Sequence, residues 1–134
     1  MKVLVVEDDM TSRMVLTKIL STHFQYDCDN AENGLEAVEK FKQALQDNEP
    51  YSLILLDIMM PVMDGQSALI AIREIEQKFQ VEPGEEVRAI MTSALSDAIN
   101  VTEAFSDGQA DAYITKPVSK DKIAKALQQV RLLE

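Results

Sequence analysis

Cysteine is nearly absent: Cys28 stands alone, which rules out an internal disulfide and points to a reducing compartment. Basic residues are scarce, 13 Lys and Arg against 23 Asp and Glu, for a formal charge of −10. A nucleic-acid binder or an anionic-membrane binder needs a basic face, so both classes are disfavoured. No apolar run approaches the roughly eighteen residues of a membrane span. Met1 to Val6 begins like a signal peptide, but Glu7-Asp8-Asp9 ends it far too early, so a cytoplasmic location is expected. No Gly-rich loop ending in Lys and Ser or Thr occurs, which removes the usual phosphate cradle of nucleotide hydrolases. EF-hand spacing, internal repeats, low-complexity tracts and linkers are missing too. The 134 residues are expected to form one domain, 1–134, long enough for a genuine core.

What the chain does have is organised around Leu53-Ile54-Leu55-Leu56-Asp57-Ile58-Met59-Met60-Pro61-Val62-Met63-Asp64-Gly65. Four consecutive apolar residues predict a strand buried on both faces, with a carboxylate at its carboxyl end. Pro61 and Asp64-Gly65 then turn the chain into a helix. Val3 to Val6 predicts another central strand, followed at once by Glu7, Asp8 and Asp9. Gln25 to Asp29 is a weaker strand, polar enough for an edge. Val87 to Met91 predicts a fourth strand ending in Thr92-Ser93, and Ala112 to Ile114 a fifth ending in Thr115-Lys116-Pro117. Helical apolar spacing lies between them: Val15, Leu16, Ile19 and Leu20; Leu35, Val38, Phe41 and Leu45; Ala68, Ile72, Ile75 and Phe79; Val101, Ala104 and Phe105. A last helix over about 119–132 carries Ile123, Leu127 and Val130.

Strand and helix therefore alternate five times, which predicts an α/β fold, a doubly wound (βα)5 unit with a parallel sheet covered on both faces. In such a sheet all carboxyl ends share one edge, where ligands bind. That edge collects Glu7 and Asp8, Asp57, Thr92 and Ser93, and Lys116. Each taken singly is an ordinary turn or surface residue; their coincidence on one edge is the signal. Three carboxylates and one ammonium leave −2, which a divalent ion with hard oxygen ligands, such as Mg2+, balances. His23 has no partner for nucleophilic catalysis, and the seven Met residues read as core filler.

These residues resemble a known family, the receiver domains of two-component response regulators, in particular the single-domain chemotaxis type. The motifs that carry the resemblance are Val5-Val6-Glu7-Asp8-Asp9, Asp57-x-x-Met60-Pro61-x-x-Asp64-Gly65, Met91-Thr92-Ser93-Ala94 and Tyr113-Ile114-Thr115-Lys116-Pro117. The resemblance implies a flavodoxin-like sheet in order 2-1-3-4-5. It implies that Asp57 accepts a phosphoryl group from a histidine kinase or phosphotransfer protein. Glu7, Asp8, Asp57 and the Met59 carbonyl would hold Mg2+, and Lys116 would contact the phosphoryl group. Ser93, favoured over its neighbour Thr92 because Ala94 follows it, would move towards the phosphate, and Tyr113 would rotate inward. The face of the fourth helix, fifth strand and fifth helix would then change for an output protein. By the same resemblance the Lys116–Pro117 peptide is expected to be cis. Met59 and Leu95, two residues beyond Asp57 and Ser93, would exclude water and slow dephosphorylation.

Lys120, Lys122 and Lys125 put positive charge on the last helix, read as a solvated face or as a contact for an acidic partner or a second copy. The chain is expected to act as a monomer or a phosphorylation-dependent dimer, catalytic only on itself. Two alternatives stand beside this reading. One is a receiver cut from the front of a longer regulator. The other is a Mg2+-dependent phosphohydrolase with Asp57 as nucleophile, disfavoured because Met59 stands where such enzymes carry a second Asp.

Overall fold

The computed structural model describes residues 1–94 and 110–133. Its five strands are β1 (Lys2–Val6), β2 (Asp27–Ala31), β3 (Leu53–Asp57), β4 (Arg88–Ser93) and β5 (Ala112–Thr115). They form one sheet in the order β2-β1-β3-β4-β5, every pair parallel, as the motifs implied. The helices α1 (Met10–His23), α2 (Gly34–Gln46) and α3 (Gly65–Lys78), and a last helix Lys120–Gln129, flank it. The helix expected around Val101, Ala104 and Phe105 lies outside the described residues, as does Leu95.

The pleat of the strands divides the core into two layers. Leu4, Val6, Ile54, Leu56, Ala89 and Met91 face one side, where Phe41 and the small Ala37 and Ala44 of α2 and Ala68, Leu69 and Ile72 of α3 cover them. Val3, Val5, Leu53, Leu55, Ile90 and Ile114 face the other, under Leu16 and Leu20 of α1 and Ile123, Ala126 and Leu127 of the last helix. The central strand β3 is buried at all five positions, which is why its sequence is an unbroken apolar run. β2 stands at the sheet margin and reads Asp-Cys-Asp-Asn-Ala, with Asp27 and Asp29 exposed. It begins two residues later than the sequence suggests, because Gln25 takes a positive φ of 56° and turns the chain first.

Three helix stripes differ in part from expectation. Val15, Leu35 and Phe79 are exposed; α1 buries Leu16 and Leu20, whereas α2 and α3 also turn the small Ala37, Ala44 and Ala68 inward. The last helix buries Ile123, Leu127 and Val130 as its spacing predicts.

Short polar contacts start each helix. Asp9, Asn33, Asp64 and Ser119 each accept the backbone N–H three residues on (Ser12, Glu36, Ser67 and Lys122), which satisfies one donor the first turn leaves open. At the far end of the sheet Arg73, Glu76 and Asp111 form a second polar staple. Glu76, buried, accepts Arg73 Nη1 at 2.8 Å and the Val87 N–H at 2.7 Å. Arg73 Nη2 reaches Asp111 Oδ2 at 3.2 Å, and that oxygen also accepts the Ala89 N–H at 2.8 Å. This staple ties α3 to the entrances of β4 and β5.

Candidate functional site

The carboxyl ends of β1, β3, β4 and β5 converge as the topology requires. Glu7 follows β1 directly, and its N–H donates to Ala31 O at 3.1 Å, which continues the β2 ladder by one residue. Arg13 Nη1 donates to Glu7 O at 2.7 Å and its Nη2 lies 3.6 Å from Glu32, so the first turn of α1 holds the acidic turn from behind. Asp57 ends β3, and the Ile58 N–H continues the ladder to Thr92 O at 3.0 Å. The loop then closes on itself where the Gly65 N–H donates to Ile58 O at 2.9 Å. A side chain at Gly65 would meet the Asp57 carbonyl oxygen at 2.3 Å, so the approach of α3 to β3 requires glycine.

Glu7, Asp8 and Asp57 each present a carboxylate oxygen, and these oxygens lie within 4.8 Å of one another. Asp8 is exposed, whereas Glu7 and Asp57 are only 1% and 4% exposed. Lys116 Nζ lies between the two buried acids, 3.0 Å from Asp57 Oδ2 and 3.3 Å from Glu7 Oε2. The other Asp57 oxygen accepts the Met59 N–H at 3.2 Å. The Lys116–Pro117 peptide is cis.

The electrostatics follow from burial. Desolvation first, and then the Asp57 charge, push the Glu7 carboxyl up to about 7 despite the nearby lysine. Burial works to lower Lys116, but its hydrogen bond and attraction to Asp57, then Glu7, outweigh that and hold it above the usual lysine range. One ammonium thus serves two desolvated carboxylates, and the pocket is short of positive charge.

Thr92 and Ser93 are both buried, and neither hydroxyl has a partner among the described residues. Thr92 sits opposite Asp57 in the β3–β4 ladder, and Ser93 is one residue further out, opposite Thr115. Thr92 and Ser93 are successive residues of β4, so their side chains leave on opposite faces of the sheet. Tyr113 lies opposite Met91 on β5 and is 41% exposed. Met59 projects from the loop with 55% of its surface exposed. A cavity of about 510 Å³ adjoins the pocket, lined by Glu7, Thr11, Ser12, Val15, Lys116 and Val118 among others.

Sequence reasoning missed Arg13, which acts on a backbone carbonyl. The signal for Arg13 was weak but present: a cation in the first turn of a helix opposes the helix dipole and needs some local compensation.

An open parallel sheet with three carboxylates and one lysine gathered at its carboxyl edge defines the class, a doubly wound α/β protein. The chain matches the family model of the response regulator receiver domain over residues 3–128. It therefore belongs to the receiver domains of two-component signalling. It is 34% identical over 129 residues to a chemotaxis protein CheY from Halobacterium salinarum, covering 96% of this chain and 95% of that protein. Among solved structures it resembles the CheX–CheY complex with BeF3 and Mg2+ from Borrelia burgdorferi, with TM-score 0.81 and 30% identity over 97% of this chain and 88% of that one. It also resembles a Saccharomyces cerevisiae receiver domain solved with a histidine phosphotransfer signalling protein, with TM-score 0.78 and 25% identity over 96% and 88% of the two chains. Among the described residues no helix is long and apolar enough to cross a membrane.

Proposed function

We propose that this protein is a phosphorylation-controlled switch in which Asp57 accepts a phosphoryl group from a histidine kinase or a histidine phosphotransfer protein. The observation that carries the reading is the Asp57 carboxylate, placed beside Lys116 Nζ at 3.0 Å and within a cluster of three acidic oxygen donors.

The hard carboxylate oxygens of Glu7, Asp8 and Asp57, around a pocket short of positive charge, fit Mg2+, and the Met59 carbonyl would be a further ligand by the family resemblance. When bound, the ion neutralises charge on the transferring group and orients its oxygens. An Asp57 oxygen forms the new O–P bond as the P–N bond to the donor histidine breaks. The leaving ring nitrogen keeps the electron pair, and the ring departs neutral because its other nitrogen carries a proton. The product holds about one more negative charge than the carboxylate. Lys116 stabilises that charge from its present position. The Ser93 hydroxyl, with Thr92 as the alternative, donates to a phosphoryl oxygen and so gains the partner it lacks. Tyr113 then turns inward and changes the β5 face on which an output protein docks. The 134 residues act as one receiver domain in the cytoplasm, catalytic only on their own phosphorylation and its loss.

Incubation with phosphoramidate and Mg2+ tests this by intact mass. One added phosphoryl group is expected in the wild type and none in Asp57→Asn. Sustained phosphate release from many small esters would favour the phosphohydrolase instead.

A further inference from the structure

Lys122 sits in the first turn of the last helix, on a segment whose lysines suggest a charged outer face. Its ammonium turns back instead. Nζ donates to Thr115 O at 2.9 Å and to Pro117 O at 2.9 Å. Those two carbonyls flank Lys116, the residue whose own ammonium meets Asp57 and Glu7. The Lys116 N–H donates to Ser93 O at 2.7 Å. The Thr115–Lys116 peptide unit is therefore held at both ends, its N–H by β4 and its C=O by Lys122. The carbonyl after the next peptide is held by the same ammonium.

We infer that Lys122 is a positioning residue for Lys116: it fixes the backbone on both sides of Lys116, and so the direction in which that side chain leaves for Asp57. The inference rests on the reading of Asp57 as phosphoacceptor. A lysine side chain has four rotatable bonds and a compact, three-donor head. Its aim at a carboxylate 3.0 Å away depends on where its Cα–Cβ bond starts. Charge-assisted bonds to carbonyls are stronger than neutral ones, which suits a brace of this kind. Lys122 shares a groove of about 440 Å³ with Tyr113 and Lys125, so one cation links the surface beside β5 to the reacting pocket. Lys125 and Lys120 have no such bonds to this loop among the described residues.

The test compares Lys122→Met, Lys122→Arg and the wild type by amide hydrogen exchange and by initial rate of phosphorylation from phosphoramidate and Mg2+. In Lys122→Met, exchange at the Lys116 amide is expected to rise on the order of tenfold, while Ala126 and Leu127 in the same helix keep their protection. The phosphorylation rate is expected to fall on the order of tenfold, as displacement of a reacting group does. Lys122→Arg restores both readouts in large part. An unchanged Lys116 amide, an equal rise along the whole helix, or an unaltered rate would overturn the assignment. A wild type that takes no phosphoryl group would sink the phosphoacceptor reading instead, and the exchange measurement would still decide the brace.

Discussion

Replacement of Gly65 by Ala tests how tightly the first turn of α3 is pressed against the end of β3. The added Cβ would lie 2.3 Å from Asp57 O, 3.0 Å from Asp57 C and 3.0 Å from Ile58 Cα. All three are backbone atoms, so no side chain can swing aside. To regain the 3.4 Å of ordinary contact, the helix and strand must part by about 1 Å. That movement stretches the 2.9 Å bond from the Gly65 N–H to Ile58 O. Overpacking of this kind costs about 1–3 kcal/mol. Alanine's better helix propensity returns at most about 1 kcal/mol, and less at the first helical position. The net expectation is a loss of roughly 1–2 kcal/mol, read as a lower urea midpoint with unchanged slope. Because the displaced atoms belong to Asp57 itself, phosphorylation should fall more than stability does, by about 10²-fold for an error of this size. A Gly65→Ala protein as stable as the wild type, and as readily phosphorylated, would refute the packing argument.

Further expectations concern separate parts of the molecule. Val62 is a β-branched residue at φ 70° with the Met63 N–H donating back to Pro61 O at 2.8 Å, a strained three-residue turn; Val62→Asn should raise the unfolding free energy by about 0.5–1 kcal/mol, and a decrease in the denaturation midpoint would contradict the strain. Glu76→Ala leaves the buried Val87 N–H without its acceptor and removes one of the partners of Arg73, which keeps Asp111 and Val87 O, and should cost about 1–3 kcal/mol by chemical denaturation; a loss below about 0.5 kcal/mol would show that the staple is dispensable. Burial first, then the charges of Asp27 and Asp29, push the Cys28 thiol up to about 11. The unfolded thiol ionises earlier, so the fold loses stability as pH rises above about 9; alkylation of the native protein should keep accelerating through pH 10, and a plateau near pH 9 would be the wrong result. Met59→Asn puts a polar amide beside Asp57 and should shorten the lifetime of the phosphorylated protein several-fold; an equal or longer lifetime, followed by intact mass, would dismiss the shielding role.

The sheet was legible because its buried strands are short apolar runs, and because alternation with helices leaves few topologies to choose among. Once the strands are parallel, Glu7, Asp8, Asp57 and Lys116 must meet at one edge, so the cluster could be read before any coordinates. The helix faces were harder. Counting large apolar residues favoured Val15, Leu35 and Phe79, yet the interior took Ala37, Ala44 and Ala68, which let α2 and α3 approach the sheet closely. Small residues carry little weight in a periodicity argument and much in close packing. The bonds of Lys122 were not legible for a different reason. Its partners are main-chain oxygens, which every residue has, so no spacing in the sequence announces them.

The edge strand β2 carries a consequence for crowded conditions. Two copies of this protein could extend the sheet by joining their β2 margins, since a free edge offers unpaired amide and carbonyl groups. Asp27 and Asp29 stand exposed along that margin, and joining would bring four carboxylates onto strands about 5 Å apart. Mutual repulsion there disfavours growth of the sheet through the β2 edge, and neutralising the pair should be felt first as turbidity at high concentration.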